Sequence, residues 1–228
     1  MKYPYKLLIL AIFIEQAFLG DAFATPKKWS TAYSNNFNQY EIDDDEPEGL
    51  LILDGDFSVA ENSGNKYLNL AGEPLENFGF LFGPRIPGNL AIQCRFLSKK
   101  KGRRMPTFSI GMGGVTGFRL KVNPAYRKLQ LLREDTIITE GPFKWQSGEW
   151  LTLRLQRQYL GDGKKWRISA KVWHGKDEPD TWNILHESDA KESAGKCSAW
   201  AAPYSSSAIC FDDLKILSNL LPPHQSRL

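Results

Sequence analysis

The sequence predicts an all-β fold built as a two-layer sandwich. Short runs of alternating apolar and polar residues recur along most of the chain, and Gly, Pro, Asn and Asp separate them. A period of two is typical of half-buried strands. We count roughly a dozen such runs at regular spacing, which is the pattern of a sandwich. The length of 228 residues suits a single domain of this class.

The longest alternating pair spans residues 150–174 and predicts a β-hairpin. Two strands that alternate apolar and polar residues flank a turn containing Asp162-Gly163. An Asp-Gly pair supplies the positive φ that a tight turn needs. Residues 89–97 predict another strand of the same kind. The side chains expected to face the core are Leu90, Ile92, Cys94, Phe96, Trp150, Leu151, Leu153, Leu155, Trp166, Ile168, Ala170 and Val172.

The first 24 residues have the pattern of a secretory signal peptide. Lys2 and Lys6 precede a short apolar run over residues 7–14, and Ala22-Phe23-Ala24 forms an A-x-A cleavage site. The run is shorter than the ~20 apolar residues that span a bilayer. We expect residues 25–228 to form one exported domain, secreted or periplasmic, with no transmembrane segment.

Three segments of the chain resemble the concanavalin A-like lectin/glucanase superfamily, including its laminin G-like group. They are "LLILDGDFSVAENSGNKYLNLAG", "WQSGEWLTLRLQRQYLGDGKKWRISAKVWHGKDEPDTW" and the closing "ICFDDLKIL". The resemblance covers most of residues 30–217 and implies a two-sheet antiparallel jelly-roll β-sandwich. Members of this superfamily often bind glycans and sometimes cleave them. Because the shared motifs are structural, they identify a fold better than a function.

An acidic stretch near the start of the domain, "EIDDDE", fits a loose form of the E-x-D-x-x-E pattern of family 16 glycoside hydrolases. In that pattern Glu41, Asp43 and Glu46 would be the reactive carboxyl groups. Asp44 stands where the pattern has an apolar residue, and Pro47 and Gly49 follow at once, which ends a strand. We therefore expect a solvated acidic loop and predict no catalytic residues.

The resemblance implies carbohydrate as the partner, and the charge and the position of one tryptophan are compatible with it. The net charge of +3 is too small to imply nucleic acid. Trp173 falls on the polar side of its predicted strand, and Arg154 and Arg119 occupy similar polar positions. A tryptophan face stacks on the C–H face of a sugar. The leading hypothesis is an exported, non-catalytic carbohydrate-binding protein. A glycan-cleaving enzyme and an envelope structural or protein-interaction module are the alternatives.

A basic run and a possible calcium site are two further features with an open role. The run Lys99–Arg104 predicts a solvated loop or a contact for an anionic glycan. Related sandwiches often hold Ca²⁺ through the Asp of the last strand, a position that Asp212 and Asp213 match, with Asn36 as the partner. The resemblance thus implies a possible structural calcium, and we expect no other cofactor.

The chain has three cysteines, which is an odd number for an exported protein. A two-residue turn at Pro203-Tyr204 would place Cys197 opposite Cys210, where a disulfide could form. This pairing is our prediction. A bond between Cys94 and Cys210 is the rival, and otherwise Cys94 is a buried free thiol.

Overall fold

The computed structural model describes residues 29–45, 47–73, 76–114, 116–161, 165–193 and 195–219. Within these ranges the chain forms fifteen strands and one turn of 3-10 helix at Pro124–Tyr126. The strands build two antiparallel sheets that face each other across an apolar core. The all-β sandwich predicted from the alternation is confirmed. The expected leader at residues 1–24 lies outside the described residues.

The strands have the following bounds, in chain order: Ser30–Asn35 (β1), Leu50–Asp54 (β2), Phe57–Asn62 (β3), Asn65–Leu70 (β4), Phe78–Phe82 (β5), Asn89–Leu97 (β6), Thr107–Met112 (β7), Phe118–Asn123 (β8), Lys128–Arg133 (β9), Thr136–Pro142 (β10), Leu151–Tyr159 (β11), Trp166–His174 (β12), Ile184–Ser188 (β13), Cys197–Ala202 (β14) and Ile209–Asn219 (β15).

The two sheets are of nearly equal width in the described part of the chain. The eight-stranded sheet has the order β13-β12-β11-β6-β15-β4-β3, and β1 pairs with the second half of β15, where Ser30 lies opposite Ser218. The seven-stranded sheet has the order β10-β9-β8-β7-β14-β5-β2. No helix in these residues is long and apolar enough to cross a membrane.

The core consists of the inward side chains of both sheets. Its centre is aromatic: the ring of Phe211 on β15 lies 5.3 Å from that of Phe80 on β5 and 5.1 Å from that of Phe96 on β6. Tilted ring pairs at such separations stabilise a core beyond their buried area. Phe80 and Phe211 belong to opposite sheets, so this cluster fixes how the two layers stack.

The long hairpin forms with the register expected from the alternation. Leu151 pairs with His174 at one end of β11–β12, and Tyr159 pairs with Trp166 at the other. All the side chains expected to face the core from β6, β11 and β12 are buried. Trp150, expected in the core, is instead partly exposed and packs under the guanidinium of Arg95, 4.6 Å from the ring centre.

The predicted disulfide is wrong. Cys197 lies on β14 of the seven-stranded sheet, whereas Cys210 lies on β15 of the eight-stranded sheet. The segment between them crosses from one sheet to the other, with a turn closed by a 2.8 Å bond from the Ser206 amide to the Pro203 carbonyl. Cys94 faces the core while Cys210 faces outward, so the rival pairing also fails. All three cysteines are free thiols.

Candidate functional site

The three side chains predicted to bind sugar do not share one surface. Trp173 and Arg154 lie on β12 and β11, on the outer face of the eight-stranded sheet. Arg119 lies on β8, on the outer face of the seven-stranded sheet. The core separates the two faces. The sequence left open whether the three residues share one sheet, and the structure places them on two.

The side chain of Trp173 is also shielded from solvent by a neighbouring segment of the chain. The segment at residues 175–183 folds back over this part of the sheet, where the Lys171 ammonium donates to the Pro179 carbonyl at 2.5 Å and pairs with Glu178 at 2.8 Å. Glu178 also pairs with Arg154 at 3.1 Å. Only 9% of Trp173 remains exposed. The covering segment itself contributes Trp182, which is partly exposed on this part of the face.

The acidic stretch forms turns and not a strand. Asp43 adopts a left-handed backbone with φ of 67°, and its amide donates to the Val59 carbonyl at 2.8 Å. The Val59 amide donates in return to the Asp44 carbonyl at 2.8 Å. Glu46 lies outside the described residues. Without a strand, residues 41–45 do not have the alternate-residue geometry that the catalytic pattern requires.

Two of the residues considered for calcium are engaged with protein side chains. The Asp212 carboxylate accepts from Arg95 at 2.6 Å and from Asn65 at 3.1 Å, and Asp213 lies 3.1 Å from the same guanidinium. Burial raises the pKa of Asp212 from its usual value, against the effect of these hydrogen bonds. Asn36 is exposed and accepts from the Asn38 amide. The guanidinium already supplies the positive charge that Ca²⁺ would bring. Within the described ranges, no group of three or more His, Cys, Asp and Glu residues could hold a metal.

The basic run forms an exposed turn between the two sheets. Lys101 and Arg104 exchange backbone hydrogen bonds of 3.1 Å across the turn, and Gly102 takes the positive φ of 60° that this turn requires. The turn connects β6 of one sheet to β7 of the other. Its side chains are exposed, as expected for a solvated loop.

A polar row with one tryptophan crosses the outer face of the seven-stranded sheet. Trp200 on β14 is in register with Ser109 on β7, which is in register with Lys121 on β8. Lys121 is in register with Gln130 on β9, and Gln130 with Glu140 on β10. Strands lie ~4.8 Å apart, so this row of five side chains extends over about 19 Å. We call it the Trp200 face.

The tryptophan of this face lies against a glycine. Trp200 is also in register with Gly79 on β5, and a Cβ built on Gly79 would meet two ring atoms of Trp200 at 2.3 and 2.4 Å. The ring therefore occupies the space that any other side chain at position 79 would need. Trp200 is partly exposed. Its ring is thus backed by the sheet and open to solvent, as required for stacking on a sugar.

The polar side chains of the row differ in whether they have a hydrogen-bond or ion-pair partner. Among the described residues, no hydrogen bond or ion pair engages the Lys121 ammonium. Burial lowers the pKa of Lys121, and the neighbouring positive charge of Arg119 lowers it further. Arg119 itself is paired with Asp135. Lys121 is therefore a donor with no acceptor in the described part of the protein, beside the exposed ring.

Glu140, at the far end of the row, is a hydrogen-bond acceptor held in place by two donors. Glu140 accepts from Lys128 at 2.7 Å and from Gln130 at 3.1 Å. These bonds lower the pKa of Glu140, so the carboxylate stays ionised near neutral pH. Ser109 and Gln130 are almost fully buried although they face outward. The row thus places donors and acceptors low on the face, between larger side chains.

Sequence reasoning missed the Trp200 face, although one signal was readable. Ala199 and Ala201 are buried in the core, so alternation along β14 puts Trp200 on the outer side. The other members lie on β7, β8, β9 and β10, far away in the chain from β14. Alternation along each strand gives the face of a residue but not its neighbours on the next strand.

Comparison with solved structures finds the same fold in sugar-binding proteins. The metal-free carbohydrate recognition domain of Emp46p aligns with 85% of this chain and 100% of its own, at 12% identity and a TM-score of 0.59. The carbohydrate-binding module CBM66 from Bacillus subtilis aligns with 75% of this chain and 96% of its own, at 12% identity and a TM-score of 0.52. Lectin II from Ulex europaeus aligns with 84% of this chain and 100% of its own, at 13% identity and a TM-score of 0.51.

These likenesses establish a lectin-like β-sandwich. No family model matches the chain, and neither does any curated protein. A structure described as a protein of unknown function with a galectin-like fold from Bacillus subtilis is similar to the same degree, with a TM-score of 0.53. At such low identity the shared property is the fold, and the function has to be argued from the site.

Proposed function

We propose that this protein is an exported, non-catalytic carbohydrate-binding module whose ligand lies along the Trp200 face. One observation carries the proposal: the Trp200 ring is backed by Gly79 and stands in register with a row of polar side chains. A sugar has one apolar C–H face and a rim of hydroxyl groups. An open aromatic ring beside hydrogen-bonding groups complements both.

Four of the five side chains of the face have a role in this proposal. Trp200 stacks on the ring of one sugar unit. The Lys121 ammonium donates to a hydroxyl or carboxylate oxygen of the ligand, which gives it the acceptor it lacks. Gln130 orients the next unit, while Glu140 accepts from a hydroxyl group. About 19 Å of row leaves room for an oligosaccharide and not only for a single sugar.

The electrostatics of the face favour binding over hydrolysis. Glycoside hydrolysis needs one carboxyl group that holds a proton and donates it to the leaving oxygen. Lys128 and Gln130 lower the pKa of Glu140, which disfavours its protonated form. The described part of the acidic stretch at residues 41–45 is remote from this row in the fold, at the edge of the other sheet beside β3.

Export is part of the proposal and has its own support in the sequence. The basic start, the short apolar run and the A-x-A site at residues 22–24 form a leader that is removed after Ala24. The mature chain then meets glycans outside the cytoplasm. N-terminal sequencing of the protein from the medium or periplasm should begin at Thr25, whereas an intact Met1 would contradict export.

A glycan array followed by titration calorimetry tests the binding function. Residues 25–228 should retain at least one oligosaccharide, and Trp200→Ala should weaken the binding at least tenfold because the stacking platform is lost. Lys121→Met should weaken it about fivefold, the effect of one hydrogen bond of ~1 kcal/mol. Tyr126→Ala is the matched control, since Tyr126 is an aromatic residue 75% exposed outside the row.

The same experiment separates the alternatives. Shortened oligosaccharides after incubation, seen by mass spectrometry, would identify an enzyme instead. The absence of retention on every glycan would leave a structural or protein-interaction module. Retention that is equally weakened by Tyr126→Ala and Trp200→Ala would place the ligand elsewhere on the protein.

A further inference from the structure

A groove on the opposite sheet is independent of the Trp200 face. It lies on the outer face of the eight-stranded sheet, where β11, β12 and β13 meet the covering segment, and it has a volume of about 490 Å³. This volume falls within the ~300–1,000 Å³ of small-molecule pockets. The side chains used in the argument are Gln156, Gln158, Arg167, Ser169, Trp182 and Leu185. We call it the Trp182 groove.

The tryptophan wall of the groove is held in place by the sheet beneath it. The side-chain oxygen of Asn183, the next residue, accepts from the Val172 amide at 2.9 Å, and the Asn183 amide donates to the Ala170 carbonyl at 3.0 Å. The Lys171 ammonium lies 4.6 Å from the centre of the Trp182 ring. These contacts fix Trp182 before any ligand arrives, which reduces the entropy lost on binding.

The floor of the groove carries polar groups without partners. Gln156 on β11 is directly opposite Ser169 on β12, and both are nine-tenths or more buried. Gln158 lies two residues further along β11 and is exposed. In the part of the chain that the structure describes, no hydrogen bond engages any of these three side chains. None of their polar atoms is among the fully buried ones that lack a partner, so these atoms are open to the groove and can bond to a ligand that both donates and accepts.

The charges around the groove are balanced. Arg167 faces Glu187 at 3.5 Å, and Lys171 is paired with Glu178. No net charge therefore selects an ion. Leu185, which is 63% exposed, adds an apolar contact next to the ring. A ligand that fits has an apolar face for Trp182 and Leu185 and uncharged hydroxyl groups for the amides.

We infer that the Trp182 groove is a second saccharide site, which takes one or two units of a neutral glycan. It does not depend on the Trp200 face, because the core separates the two sheets. With both sites filled, one molecule would hold two glycan chains, or two stretches of one chain, on opposite sides. Two linked sites raise the overall affinity without any new contact.

Nuclear magnetic resonance of the tryptophan indole N–H groups tests this site. The protein is Trp200→Ala in residues 25–228, so that the first site is disabled. The probes are cellotetraose, xylotetraose, mannotetraose and laminaritetraose. The Trp182→Phe variant identifies the Trp182 resonance. We expect at least one probe to shift this resonance saturably, and Gln158→Ala to weaken that binding about fivefold.

Lys176→Ala is the matched control, because Lys176 is exposed in the same covering segment but does not line the groove. It should leave the affinity unchanged. If no probe shifts the Trp182 resonance, the inference is wrong. That result would not bear on the Trp200 face, which is disabled in this variant. A shift that follows protein concentration without probe would show that a second copy fills the groove, and this would also overturn it.

Discussion

At the scale of single residues, the contact between Gly79 and Trp200 decides whether a platform exists on the seven-stranded sheet. A methyl group at position 79 would stand 2.3 Å from the tryptophan ring. Real Cβ atoms do not approach so closely, and the other nearby atom is a backbone oxygen at 2.8 Å. The ring would have to leave the sheet or the strand would have to move.

Gly79→Ala should therefore abolish glycan binding and lower the stability. We expect a loss of about 1–3 kcal/mol in the free energy of unfolding, the usual cost of overpacking. Urea unfolding and calorimetric titration would measure the two effects. Gly141→Ala is the control: a Cβ there meets nothing within 4 Å, and its φ is not positive. Equal effects of both changes would contradict the steric explanation.

The buried thiols give a second prediction at this scale. Burial raises the pKa of Cys197 to about 12 and that of Cys210 to about 11. Thiolates, which are the reactive form, are thus rare in the folded protein at pH 8. The native chain should react slowly with a thiol reagent, and three thiols should react in denaturant without reductant. A single reactive thiol in denaturant would mean that a disulfide forms.

The same pKa values predict lability in alkali. A pKa raised above the unfolded value of ~8.5 gives stability that is full below that pH and is lost as the pH rises through the folded pKa. The free energy of unfolding should therefore fall from about pH 9 upward. Cys197→Ala should make the fall shallower. An unchanged slope in this variant would show that other groups, such as the partly buried Tyr33, dominate.

At the scale of elements, the covering segment at residues 175–183 determines which tryptophan is accessible. Sequence alternation correctly placed Trp173 on the outer side of β12. It could not show that the next nine residues fold back over that side, because the ion pairs of Glu178 with Arg154 and Lys171 join different elements. Of Trp173 and Trp182, the more exposed ring is therefore that of Trp182.

Removing the anchor of this segment should loosen it. Glu178→Ala deletes both ion pairs and leaves Lys171, only 7% of whose side chain is exposed, with its bond to Pro179 and its contact with the Trp182 ring. We expect faster hydrogen exchange at residues 175–183 and little change elsewhere in the sheet. Asp177→Ala, a neighbouring exposed carboxylate, is the control. Uniformly faster exchange would instead indicate a global loss of stability.

Local elements were the part of the fold that could be predicted from sequence. The β11–β12 hairpin has its register because both strands and their turn are contiguous in the chain. The cysteine pairing failed for the opposite reason. Pro203 and Tyr204 suggested a tight hairpin, but the turn carries the chain from one sheet to the other, and no local signal distinguishes these outcomes.

At the scale of the whole molecule, the sequence predicted two layers but not the order of the strands. β14 lies between β5 and β7, and β15 lies beside β6, so neighbours come from distant parts of the chain. The candidate site could not be predicted from the sequence for the same reason, because its residues come from distant strands. Trp200 and Lys121 are 79 positions apart in the sequence and only two strands apart on the sheet.

The sandwich should not need calcium to hold its ends together. Arg95 bridges Asp212 and Asp213, the two carboxylates that a metal would use. We expect the melting temperature to be the same in excess Ca²⁺ and in chelator. A Ca²⁺-dependent rise of several degrees, lost in Asp212→Asn, would show that a cation displaces the guanidinium and that our assignment of this cluster is wrong.

The pairing of β1 with β15 has a consequence for circular permutation of the chain. Ser30 and Ser218 lie on neighbouring strands, directly opposite each other. A short linker between these two points would let the polypeptide be cut at an exposed turn elsewhere, such as Ser63-Gly64 between β3 and β4. Every strand would keep its neighbours in such a circular permutant. The packing of the strands therefore does not depend on which exposed turn carries the two ends of the chain.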